Sequence, residues 1–200
     1  EIVEAQTMKT DSIWHDFKIK KRGVTIAVSS LNLFFENMFG QLRAAGFDNI
    51  FPKSVVVPPN KFEEESSFGS SDIGFYPGSL NKILELSGGR PFAAALFPYA
   101  AHYPYECSGT IKGRQSYQDY QTCIRFAEDL LNDFVQSIRQ EPDLQNTLLV
   151  VIGDHGESFG EHGLFIHNSS LYEEEITVPL VLWSPDGRLR HSSWPKITRQ

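Results

Sequence analysis

The sequence predicts an α/β fold, a mostly parallel central sheet flanked by helices, and three observations predict it. Short apolar, strand-like runs recur at residues 24–28 (VTIAV), 92–97 (FAAALF), 147–152 (TLLVVI) and 178–183 (VPLVLW). Between them lie stretches with apolar residues at helical spacing, closed by glycine or proline. Strand and helix therefore alternate, the order that right-handed crossovers between parallel strands require.

Each element has its own signal. Residues 12–22 set Ile13, Trp14, Phe17 and Ile19 among charges and end at Gly23, which predicts a short helix before the VTIAV strand. Residues 33–45 return to helical spacing through Phe34, Phe35, Met38, Leu42 and Ala45, closed by Gly46. Residues 47–78 are rich in Pro, Gly, Ser and Glu and read as a long excursion. A short helix over 80–86 ends at the Gly88-Gly89 pair, and FAAALF then runs into Pro98 and a loop of Tyr, His and Pro. Residues 118–139 put Tyr120, Ile124, Phe126, Leu130, Leu131, Phe134, Val135 and Ile138 on one broad helical face, stopped by Glu141-Pro142. TLLVVI is the strongest strand signal, and its unbroken apolar character predicts a central parallel strand covered on both faces.

Composition bounds the function. The chain has 200 residues, a one-domain length, and 40% of them are hydrophobic, enough for a sizeable core. With 15 Gly and 11 Pro, a collagen or low-complexity chain is excluded. Eighteen basic residues against 25 acidic give a net charge of −7, with no basic stripe for nucleic acid. No apolar run approaches the ~18 residues of a membrane span. Cys107 and Cys123 show no zinc-type spacing and read as ordinary thiols, with pairing as the alternative. Asn168–Ser170 forms an N-x-S sequon, a common chance tripeptide.

The chemistry concentrates in GDHGESFGEHGLFIHNSSLYEEEITVP, residues 153–179. It begins where TLLVVI ends, and ligands of open parallel sheets bind beyond the carboxyl ends of strands. Asp154 and His155 offer a carboxylate oxygen and an imidazole nitrogen side by side, and Gly153 and Gly156 would let the backbone leave strand geometry so that both face one ion. His162 and His167 follow, with Gly160 and Gly163 keeping the loop tight. Glu173, Glu174 and Glu175 read as a solvated helix or turn face, and a lone histidine is most often a surface or core residue. Three histidines within 13 residues of an apolar strand end favour a metal or anion site.

Taken together, this stretch resembles the carboxyl-terminal motif of the sulfatase group within the alkaline phosphatase superfamily. That motif has the string DHGE, a G-E-H-G-L segment, a later His or Lys, then Y-E-E and V-P-L. Here they stand in order at residues 154–157, 160–164, 167, 172–174 and 178–180. LFPYAAHYPY resembles the family's strand and His-x-Pro-Tyr loop, with His102 at the position of a ligand-binding histidine. The helix over 117–139 and GVTIAVSS with LRAAGFD also fit, so the resemblance covers most of residues 12–185.

The resemblance implies an alkaline phosphatase-like sandwich and an enzyme. Asp154 and His155 would ligate a divalent metal, with Ca, Zn and Mn all open. His102 and His167 would contact the sulfate or phosphate group and the leaving oxygen. The substrate would be a sulfate or phosphate ester, and the location extracytoplasmic. The family's nucleophile lies upstream of the GVTIAVSS-like segment, as Cys-x-Pro-x-Arg in sulfatases and as Thr or Ser in head-group transferases. Neither Cys107 nor Cys123 stands in such a motif, and Ser29 and Ser30 lack an elbow motif. The expectation is therefore a partial catalytic domain over 1–200 with its nucleophile, and for a transferase a membrane anchor, upstream of Glu1. Such a chain alone would bind metal poorly and turn over no ester. A phosphoethanolamine or phosphoglycerol transferase, or a phosphodiesterase of the same superfamily, is the alternative enzyme. A non-catalytic binding relative is the alternative of another class. Residues 51–78 and 103–116 supply the Phe, Tyr and Glu that could line a specificity groove.

Overall fold

The computed structural model describes residues 12–58, 68–107, 116–168 and 170–189. It has two compact units, one ending at Phe134 and the other beginning at Val135. The first unit holds a parallel three-stranded sheet flanked by helices, the predicted α/β class.

Helix α1 (Ile13–Lys21) starts at Ser12, whose hydroxyl accepts the His15 N–H and itself donates to the Ala45 carbonyl. The central strand β1 (Val24–Ser29) is buried at every residue, as its β-branched sequence predicts. Thr25 is one of its two polar residues. Its hydroxyl donates to the Gly46 carbonyl and accepts the Asp48 N–H, each at 3.0 Å. Helix α2 (Met38–Ala45) ends at Gly46 in the left-handed conformation and is shorter than its apolar spacing predicts. Before it, Glu36 and Asn37 turn left-handed, so a short 3-10 turn (Phe35–Asn37) replaces the first helical residues. Trp14, Met38, Ile50 and Phe97 pack around Ala27, Leu42 and Phe47 on one face of the sheet, with the Trp14 and Phe47 rings 4.4 Å apart.

The region read as a long excursion contains a strand and two helical pieces. Strand β2 (Asn49–Pro52) pairs parallel with β1 at the sheet edge, where its proline costs no ladder bond. A single turn α3 (Lys53–Val56) follows, and residues 59–67 of the excursion lie outside the described residues. Helix α4 (Phe75–Ser87) begins five residues before the predicted start at 80. Pro77 sits in its first turn, where backbone N–H groups lack helical partners anyway. A Cβ on Gly78 would come within 2.3 Å of the Val56 carbonyl oxygen, so glycine there permits the close packing of α4 on α3. Strand β3 (Phe92–Phe97) pairs parallel with the other side of β1, as read. Helix α5 (Tyr117–Gln140) matches its long apolar face.

Cys107 and Cys123 are joined by a disulfide, with Cα atoms 5.4 Å apart, which corrects the reading of two thiols. The spacing alone could not reveal this. The first turns of α5 carry Cys123 back beside the loop that leaves β3.

In the second unit, β4 (Leu149–Ile152) and β7 (Leu180–Trp183) form an antiparallel pair. This corrects the reading of β4 as a parallel strand covered on both faces. Val150 and Ile152 are 48% and 56% exposed. An unbroken apolar run states that both faces can pack, but it carries no information on the neighbour's direction. A short hairpin of β5 (Ser158–Phe159) and β6 (Phe165–Ile166) and one turn of helix, α6 (Glu173–Ile176), lie between β4 and β7.

Candidate functional site

The polar segment begins one residue beyond β4, as read. Its glycines act in two different ways. Gly160 and Gly163 adopt left-handed φ values, 110° and 73°, and shape the hairpin. Gly153 and Gly156 instead make room. A Cβ on Gly156 would lie 2.1 Å from the Glu174 carbonyl oxygen, and the Gly156 N–H donates to the Glu175 carbonyl at 2.8 Å. These contacts hold the loop after β4 against the YEEE turn.

That folding brings three of the predicted residues together. The rings of His155 and His167, twelve positions apart, lie 4.1 Å centroid to centroid. Asp154 is beside them, its side chain 89% exposed. Asp154 Oδ1 accepts the His155 N–H at 3.0 Å, and His155 Nδ1 lies 2.8 Å from the Gly156 carbonyl. A carbonyl only accepts, so His155 donates from Nδ1, and in the neutral ring that leaves the lone pair on Nε2. That Nε2 is 3.8 Å from Asp154 Oδ2. Two donors each bound at about 2.1 Å to one ion lie at most about 4.2 Å apart, so the pair can share a cation. A fixed Nδ1–H···O=C bond is also the usual support of a ligating imidazole. Among the described residues, no group of three or more His, Cys, Asp or Glu side chains is gathered for a metal. Asp154 and His155 thus fit as two members of a ligand set.

His167 is held by a residue whose part the sequence did not single out. Its Nδ1 lies 3.0 Å from Glu157 Oε1, and the two side chains are 15% and 6% exposed. The carboxylate accepts, so the proton is again on Nδ1. Glu157 thereby sets both the tautomer and the angle of the ring. His162 is engaged elsewhere, 2.8 Å from Glu174 Oε1 and stacked 3.8 Å from the Tyr172 ring.

The glutamate run divides sharply. Glu173 and Glu174 serve Thr177 and His162 near the surface. Glu175 is only 4% exposed, against the reading of a solvated face. Its carboxylate accepts the Ser158 hydroxyl at 2.9 Å, the Ser170 hydroxyl at 2.7 Å and the Ser170 N–H at 3.1 Å. It therefore ties the hairpin to the segment after His167. Three identical neighbours give no sequence signal for which one is buried.

His102 lies in the first unit, on the turn that follows β3. Its N–H donates to the Tyr99 carbonyl at 3.0 Å, and its Nδ1 lies 2.5 Å from the Tyr103 carbonyl. The Tyr99 and Phe68 rings lie 5.5 and 5.3 Å from its own. Beneath this turn, Asp72 accepts the Tyr99 N–H at 2.9 Å and the Ala100 N–H at 2.7 Å. Burial pushes the Asp72 carboxyl above its ordinary value. The Ser30 side chain, those two N–H groups and the Lys53 charge pull the other way. Lys53 is itself buried and donates to the Ser71 carbonyl. Ser29 and Ser30, set aside above as nucleophiles, are 1% and 3% exposed, and the Ser29 hydroxyl donates to the Leu31 carbonyl. Of the segments read as lining a specificity groove, residues 59–67 and 108–115 lie outside the described residues, as does Ser169 of the sequon.

The sulfatase family model matches residues 19–199. An uncharacterized sulfatase, YidJ of Escherichia coli K12, is 29% identical over 76 residues, 38% of this chain and 15% of that protein. The phosphoethanolamine transferase EptA of Escherichia coli K12 is 27% identical over 86 residues, 41% of this chain and 16% of that protein. The crystal structure of the lipoteichoic acid synthase LtaP from Listeria monocytogenes superposes with a TM-score of 0.64 at 17% identity, covering 86% of this chain and 46% of that one. The likeness thus spans only a fraction of each relative's own length. Metal dependence is general in this superfamily. With the family model matched over nearly the whole chain, the protein belongs to the sulfatase family of the alkaline phosphatase superfamily.

Proposed function

We propose that this chain contributes to a metal-dependent site that cleaves or transfers a sulfate or phosphate ester. The observation that supports it most is the joining of His155 and His167 beside Asp154, with each imidazole proton held on Nδ1. Asp154 and His155 would hold a divalent cation such as Ca, Zn or Mn, which when bound supplies positive charge to polarise the ester and stabilise an attacking oxygen. His167, fixed by Glu157, and His102, fixed on its turn, hold protons and orient the anion. A histidine is suited to protonating a departing alkoxide near neutrality.

Hydrolysis of a sulfate ester is the first reading. A phosphoethanolamine or phosphoglycerol transferase is the second, favoured by the likeness to EptA and by histidine at 167, where many sulfatases have lysine. The disulfide between Cys107 and Cys123 fits an oxidising, extracytoplasmic location. No described helix is long and apolar enough to cross a membrane.

The test uses the protein at its natural full length, assayed with an aryl sulfate, a phosphodiester and phosphatidylethanolamine vesicles. Asp154→Ala with His155→Ala should lower bound metal per chain and cut turnover at least about a hundredfold. Unchanged metal content and turnover would remove the proposal. The substrate that is consumed separates the two readings.

A further inference from the structure

The first unit contains two buried ionisable residues that the proposed chemistry does not use. Lys53 and Asp72 are 2% and 1% exposed, at the carboxyl-terminal side of the parallel sheet. Burying such groups adds little net stability over apolar residues of the same size, because each loses its water. What it does add is directional. Both Asp72 oxygens accept the Tyr99 N–H, at 3.0 and 2.9 Å, and Oδ2 also accepts the Ala100 N–H. Those are the second and third residues after β3. The next link is short, since the Tyr99 carbonyl accepts the His102 N–H and the Tyr99 ring lies against the imidazole at an interplanar angle of 24°. Asp72 reaches the same structure from the other side too, where its carbonyl accepts the Phe75 N–H at the start of α4. One residue thus joins the His102 turn, through its carboxylate, to the first turn of α4, through its backbone carbonyl.

We propose that Asp72 is the positioning residue that orients His102 toward the ester anion. This rests on the role assigned to His102 above. Asp72→Asn keeps the shape but removes the charge and leaves a single neutral oxygen for both N–H groups, with its NH₂ set against the Tyr99 N–H, so the grip on the turn weakens and the imidazole shifts.

The readout is the imidazole spectrum of 13C-histidine-labelled full-length protein, with the His102 signal assigned through His102→Gln. In Asp72→Asn the His102 signal should move while those of His155, His162 and His167 stay, and inorganic phosphate should perturb it with about tenfold weaker affinity. A His102 signal and phosphate response unchanged by Asp72→Asn would overturn the proposal. If phosphate moves no His102 signal in the unsubstituted protein, the anion-binding role of His102 fails. The signal shift caused by Asp72→Asn then still decides whether Asp72 positions the ring. Should Asp72→Asn not fold, amide exchange in the unsubstituted protein decides. Slow exchange at Tyr99 and Ala100 supports the clamp, and exchange at the rate of an open loop overturns it.

Discussion

The two loops that present the proposed residues are built on opposite plans. His102 stands on a turn gripped from beneath by the buried Asp72 carboxylate, and its loop is closed beyond by the Cys107–Cys123 disulfide. Asp154 and His155 stand on a loop gripped from behind by Glu157, Glu175 and the close approach of Gly156, while their own side chains face water. The difference follows from the tasks proposed. A ring that must meet an anion at one angle needs supports around it. Donors that share a cation must leave lone pairs directed outward, so their supports belong on neighbouring residues.

Breaking each grip separately tests the contrast. The largest effect is expected from removing the disulfide. Cys107→Ser with Cys123→Ser opens a loop of 16 positions and should cost about 3 kcal/mol in chemical unfolding. Segment-resolved hydrogen exchange should rise over 99–107 and remain unchanged over 153–176. Equal loosening of both segments would erase the contrast.

Glu175→Gln is the converse. It replaces one acceptor oxygen with an NH₂ group, which faces either the two serine hydroxyls or the Ser170 N–H, and should cost about 2 kcal/mol. Exchange should rise over 153–176 while 99–107 keeps its protection. The His155–His167 contact should also loosen, visible in the two imidazole signals.

The smallest effect concerns acid. Asp186 is held well below its ordinary carboxylate value by hydrogen bonds from the Arg188 side chain and N–H, with the Ser184 hydroxyl adding to them. Its contribution is fully present above the unfolded value of 3.8 and is lost as pH falls through the lower folded value. Asp72, raised by burial, works in the opposite sense, favouring the fold below 3.8 and losing that contribution as pH rises through its folded value. Asp186→Asn should therefore lower stability slightly at neutral pH and leave it unchanged at the acid end, so that the acid limb is shallower, and both effects are small because the group is exposed.

The elements legible in the sequence are those with one repeated signal over several residues. VTIAV and FAAALF are continuous apolar runs, and the face of α5 repeats over six turns. Strand β2 was hidden because NIFP is four residues ending in proline, and its strand character comes from pairing with β1. The start of α4 was hidden by Pro77-Gly78, which reads as a turn until the packing of Gly78 on Val56 is known. In the candidate site, Asp154, His155 and His167 were readable as donors in a motif. Glu157 and Glu175 were not, since a carboxylate that accepts bonds in the interior has the same letter as one in water.

By itself, the sequence determined the family and the α/β class, and it singled out Asp154, His155, His102 and His167 as candidates to hold a cation or an anion. Those depend on residue type and local order. Only the tertiary structure decided that β4 runs against β7, that the two cysteines join, that Glu175 is buried while Glu173 is exposed and that Asp72 lies under the His102 turn. Strand direction, pairing and burial are properties of neighbours distant in the chain. No local pattern encodes them, because the same apolar or acidic residue satisfies several partners until packing selects one.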